Sequence, residues 1–117
     1  MVKEEITLNK IHLVDALNGL KLLRDDSSQI IIADPPYNIG KNFGNNKDDM
    51  SLEDYLNWCE EWINECIRVL KPNGTMFIYG FSEILAYIFT RVPIHKKWLV
   101  WHYTNKNVAS LNFWQRS

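Results

Sequence analysis

The sequence has little of what usually announces chemistry in a small protein. Cysteine is scarce: only Cys59 and Cys66 occur, and seven residues apart in one helical pattern, at about 1.5 Å of rise per residue, their Cα atoms stand about 10 Å from each other. That separation excludes a disulfide, and both read as small core hydrophobes. His12, His95 and His102 share no ligand spacing with one another or with the cysteines, so no metal site is expected. Glycine is thin and scattered, at 19, 40, 44, 74 and 80, and no glycine-rich strand-to-helix turn can be drawn. Long apolar runs are missing too. No uncharged stretch approaches the roughly eighteen residues a membrane span needs, and Met1-Val2-Lys3-Glu4-Glu5 lacks the apolar centre of a secretory signal. A soluble cytoplasmic protein is the expectation. Finally, neither sign of charge dominates: 13 Lys and Arg face 14 Asp and Glu, a net charge of -1. A polyanion would feel no bulk attraction, so any contact with nucleic acid has to come from a local patch.

What is present is enough for one globular domain with its own core: 117 residues, 46% hydrophobic and 13% aromatic. The chain is organised around Gln29-Ile30-Ile31-Ile32-Ala33-Asp34-Pro35-Pro36-Tyr37-Asn38. Short, apolar and β-branched, the run suits a strand covered on both faces, although periodicity alone does not exclude a short helix. The prolines decide it. Asp34 and Pro35 each precede a proline, which pushes them out of the helical region, so the chain stays extended and then turns at the strand's carboxyl end. In open α/β sheets that is the end where ligands bind.

Around this strand the pattern alternates. Ile6 to Val14 has strand character, and Asp15 stands where a helix N-cap belongs, ahead of Ala16 to Leu23 with leucines at helical spacing. Such a βαβ unit predicts two parallel strands. Residues 39–50 read as a polar loop whose length suits a lid, and whose Lys41 and Lys47 are free to meet an anionic partner or simply to be solvated. Ser51 followed by Asp54 resembles a capping box, and the apolar positions Leu52, Tyr55, Leu56, Cys59, Ile63, Cys66, Ile67 and Leu70 give the clearest helix of the chain. Trp58 and Trp62 flank that stripe and read as packing residues. Lys71-Pro72-Asn73-Gly74 predicts a turn, Thr75 to Tyr79 a strand, Ser82 the cap of a short helix to about Thr90, and Trp98 to Tyr103 a last strand. Strand, helix, strand, helix, strand, helix, strand points to a doubly wound α/β layer.

Asp34-Pro35-Pro36-Tyr37 after an apolar strand resembles the catalytic motif of the S-adenosylmethionine-dependent amino-methyltransferases that methylate the exocyclic nitrogen of adenine in DNA. Asn38, the helix from Ser51 to Leu70, the Lys71-Pro72-Asn73-Gly74 turn and the strand after it are similar to the same family in the same order, so the resemblance runs from about Ile6 to Ser117. It implies a Rossmann-like methyltransferase fold, S-adenosylmethionine as cofactor, and duplex DNA with a flipped adenine as substrate. In that reading Asp34, Pro35, Pro36 and Tyr37 are catalytic; Asp15, Ala16, Leu17 and Asp34 approach the cofactor; Asn38, Lys41, Lys47 and Lys106 approach DNA. A plain N-cap explains Asp15 equally well. Asp in place of Ser at the motif's first position favours adenine over cytosine N4 by the same resemblance.

One family feature is missing. The glycine-rich Phe-x-Gly-x-Gly cofactor motif is not in the sequence, and in the subgroup whose catalytic motif comes first it lies after the recognition region. Residues 1–117 are therefore expected to be the catalytic half of an incomplete sheet, with residues 104–117 leading toward a recognition region. Completion would come from a carboxyl-terminal polypeptide or a homodimer. The competing expectations are a DNA-binding remnant without catalysis and a cofactor-independent α/β domain in which the double proline merely ends a strand.

Overall fold

A computed structural model describes residues 6–38 and 50–102. Its elements are α1 (Ala16–Lys21), β1 (Ser28–Ala33), α2 (Leu52–Val69), β2 (Leu70–Ile78) and α3 (Ser82–Arg91). Among the described residues β1 and β2 form a two-stranded parallel sheet, joined through the crossover helix α2.

Helix α2 is the body of the core. Ser51 caps it by accepting from the Asp54 N–H at 3.2 Å, as the capping pattern implied. Tyr55, Leu56, Cys59, Trp62, Ile63, Cys66 and Val69 are buried along one stripe, and Ile31, Ala33, Met76 and Ile78 of the sheet pack against it. Trp62 thus belongs to the stripe rather than its flank. Helix α3 closes the other side through Ile88 and Ile84. At the far end of α2, Arg68 ties three segments together. Its guanidinium donates to the Leu20 and Leu23 carbonyls and to the Asp25 and Glu65 carboxylates, at 2.7 to 2.9 Å, and so fastens the loop that leads from α1 into β1.

Several expectations need correction. Residues 6–14 make no strand: the chain turns at Leu8 and Asn9, where Asn9 has φ 61° and the Thr7 N–H lies 3.3 Å from His12 Nε2, and Leu8, Ile11 and Leu13 are 90%, 102% and 107% exposed. Residues 98–102 likewise stay outside the sheet, and Tyr103 lies outside the described residues. Helix α1 ends at Lys21, two residues before Leu23. Helix α3 begins at Ser82 itself, with Phe81 at the N-cap and no side-chain cap bond, so Ser82 does not cap it. The predicted turn at Lys71–Gly74 falls inside β2 as a bulge: the register jumps from Ser28 opposite Leu70 to Ile30 opposite Thr75. Gln29 Nε2 bonds the Asn73 carbonyl there at 2.9 Å. Only glycine fits at position 74, since a Cβ would stand 2.7 Å from Leu70 Cδ1 and 2.8 Å from the Gln29 carbonyl oxygen.

No helix among the described residues is long and apolar enough to cross a membrane.

Candidate active site

The site begins where β1 ends. The last rung of the ladder pairs Ala33 with Ile78, and the Tyr79 N–H adds a bond to the Ala33 carbonyl at 3.0 Å. The next residue is Asp34, which is exposed at the carboxyl edge of the sheet. Neither Pro35 nor Pro36 has an N–H to offer, so the turn they make is held by side chains.

Side chains on either side of the turn hold it. Tyr37 turns back and donates its hydroxyl to Asp34 Oδ1 at 2.5 Å, across three residues. Tyr55, from the buried stripe of α2, donates its hydroxyl to the Pro36 carbonyl at 2.5 Å. Asn38 adopts a left-handed backbone (φ 60°), which asparagine tolerates, and its Nδ2 donates to the Met50 carbonyl at 2.7 Å, joining the two ends of the segment between them. The Tyr37 ring meets Phe81 at 5.5 Å between centroids and 76° between planes, an edge contact that sets its orientation. Burial, followed by the Asp34 bond and charge, pushes the Tyr37 phenol up to about 12. Tyr37 is therefore a neutral donor at any physiological pH.

The chemistry available is that of acceptors and an aromatic face. Burial pushes the Cys66 thiol up to about 11 and raises that of Cys59, so neither is a thiolate nucleophile at neutral pH. Among the described residues no group of His, Cys, Asp and Glu is arranged to hold a metal.

The sequence-predicted residues fare unevenly. Asp34, Pro35, Pro36 and Tyr37 form one turn, and Asn38 closes it. Asp15 caps α1, its Oδ2 accepting from the Asn18 N–H at 3.1 Å; Ala16 is exposed and Leu17 packs against the core. Lys41, Lys47 and Lys106 lie outside the described residues. Nothing in the sequence pattern singles out Tyr55 or Phe81, or the hydroxyl of Tyr37. The spacing of Tyr37 three residues past Asp34 was the one legible hint.

Residues 28–115 match the DNA methylase family. The chain is 38% identical over 95 residues to the type II methyltransferase M.HpaI of Haemophilus parainfluenzae, covering 77% of this chain and 30% of that protein. It is 38% identical over 99 residues to the DNA adenine methyltransferase YhdJ of Escherichia coli K12, covering 82% of this chain and 34% of that one. With the type II methyltransferase M.BglII of Bacillus subtilis it shares 47% identity over 70 residues, 60% of this chain and 19% of that protein. The chain belongs to the DNA methylase family. It spans about a third or less of the length of these relatives.

DNA methylases of this kind take their methyl group from S-adenosylmethionine. Asp15 is engaged as a cap, no glycine-rich turn follows a strand, and the cavity between α2 and α3, lined by Leu56, Ile63, Ile88 and Val92, measures about 10 Å³. It would admit a water at most.

Proposed function

We propose that this DNA methylase chain is the catalytic part of an enzyme that methylates adenine N6 in duplex DNA. The observation that carries the reading is the exposed Asp34 carboxylate, set at the carboxyl end of β1 by a double-proline turn and held through Oδ1 by Tyr37.

An adenine amino nitrogen is a poor nucleophile because its lone pair is delocalised into the ring. Acceptors on its two N–H groups counter this by drawing the nitrogen toward a tetrahedral geometry. Asp34 has a second carboxylate oxygen beyond the one that Tyr37 fixes, and the Pro35 carbonyl lies one residue further on. The aromatic face of Tyr37 would stack on a base swung out of the duplex, since the amino group cannot be reached inside the stack. Asn38, Lys41, Lys47 and Lys106 are the proposed DNA contacts, and Asp15 to Leu17, with Asp34, the proposed cofactor neighbours.

The cofactor needs more wall than the described residues supply, and one face of the sheet, with Ile30 and Ile32 at 60% and 70% exposure, is uncovered. We therefore expect transfer to require further polypeptide, either a carboxyl-terminal partner or a second copy. Nucleoside analysis of DNA from cells expressing the chain with such a complement tests the target. N6-methyladenine is expected. N4-methylcytosine would overturn the adenine assignment, and neither product would favour a DNA-binding remnant.

A further inference from the structure

The Asp34–Tyr37 turn cannot be fixed by its own backbone donors at Pro35 and Pro36, so its position depends on what reaches it from elsewhere. Tyr55 does so from the helix that carries most of the buried core. It is 2% exposed, its ring lies 5.8 Å from that of Trp58, and it stands in the buried stripe of α2 among Leu56, Cys59 and Trp62. Its hydroxyl crosses nineteen residues of sequence to the Pro36 carbonyl. Pro36 is bonded directly to Tyr37, and Tyr37 in turn holds Asp34 Oδ1. A shift at Pro36 therefore moves both the aromatic ring and the carboxylate.

We infer that Tyr55 is a positioning residue for methyl transfer: its hydroxyl on the Pro36 carbonyl sets the Asp34 carboxylate and the Tyr37 ring relative to the core. The inference rests on the function proposed above, and it adds a residue that touches neither base nor cofactor.

Tyr55→Phe removes the hydroxyl and keeps the ring. In the 117-residue chain with carbon-13-labelled tyrosine, the Tyr37 resonance, assigned by its loss in Tyr37→Phe, should stay neutral near pH 11, because the phenol sits at about 12. In Tyr55→Phe its ionisation should move back toward the ordinary value near 10, while the melting temperature drops by no more than about 8 °C. In the chain with its complement, kcat should fall by about tenfold to a hundredfold at little-changed KM, the cost of a misplaced reacting group. An unchanged Tyr37 titration in the folded variant, or an unchanged kcat, would overturn the inference. A variant that no longer folds would overturn it as well, by making the hydroxyl a determinant of the fold. If the wild-type chain together with its complement transfers no methyl group, the functional reading falls and takes this inference with it, an outcome distinct from a loss confined to Tyr55→Phe.

Discussion

The two faces of the small sheet are built from the same kinds of residue and meet opposite fates. On one face Ile31, Ala33, Met76 and Ile78 pack against the core around α2; on the other Ile30, Ile32 and Phe77 remain exposed, and the Tyr79 ring, itself exposed, lies 5.9 Å from that of Trp101. Pairing makes the contrast clean, because Ile31 sits opposite Met76 and Ile32 opposite Phe77, in adjacent rungs of one ladder. An alternating surface strand would place polar groups on the open face. This one places isoleucines there, so the strand is composed for a layer on each side, and the described residues supply one layer.

The comparison can be broken in several ways. The largest effect expected is on the cofactor. Calorimetric titration of the isolated chain with S-adenosylmethionine should give no measurable binding, and adding the complementing polypeptide should restore it. Tight binding by the chain alone would show that the wall is already complete. Next, on the covered side, Ile63→Ala in α2, at 1% exposure, should cost about 2–5 kcal/mol in urea unfolding. Smaller still is an effect at the turn. With the Tyr37 phenol raised to about 12, the folded state holds its proton more tightly than the unfolded chain, so its contribution is complete below pH 10 and is lost as pH rises toward 12. Tyr37→Phe should flatten that decline in a stability profile. The smallest effect belongs to the uncovered face: Ile32→Ser should change stability by no more than about 0.5 kcal/mol and reduce light scattering from self-association. A loss there comparable with Ile63→Ala would mean that the face is covered after all.

How much of this was legible in the sequence follows the same divide. Helix α2, its Ser51 cap, β1 and the double-proline turn could be read because each is specified locally, by capping chemistry, by periodicity and by the fixed φ of proline. Residues 6–14 and 98–102 carry strand composition, yet strand pairing is a property of two segments at once, and composition in one cannot supply the other. The bulge at Lys71–Gly74 looked like a turn because turn and bulge draw on the same residues. At the site, Asp34, Pro35, Pro36 and Tyr37 were visible as a motif. Tyr55 was hidden in the core pattern of α2, where its ring explained its presence and its hydroxyl went unnoticed.

The central claim is that Asp34 polarises the amino group that receives the methyl. It is tested by Asp34→Ala in the chain together with its complement, with methyl transfer to duplex DNA as the readout and circular dichroism as the check on the fold. Loss of one preorganised electrostatic contact raises a barrier by about 2.7–4 kcal/mol, so the rate should drop at least about a hundredfold while the fold persists. Transfer at a near-normal rate by the folded variant would remove Asp34 from the mechanism.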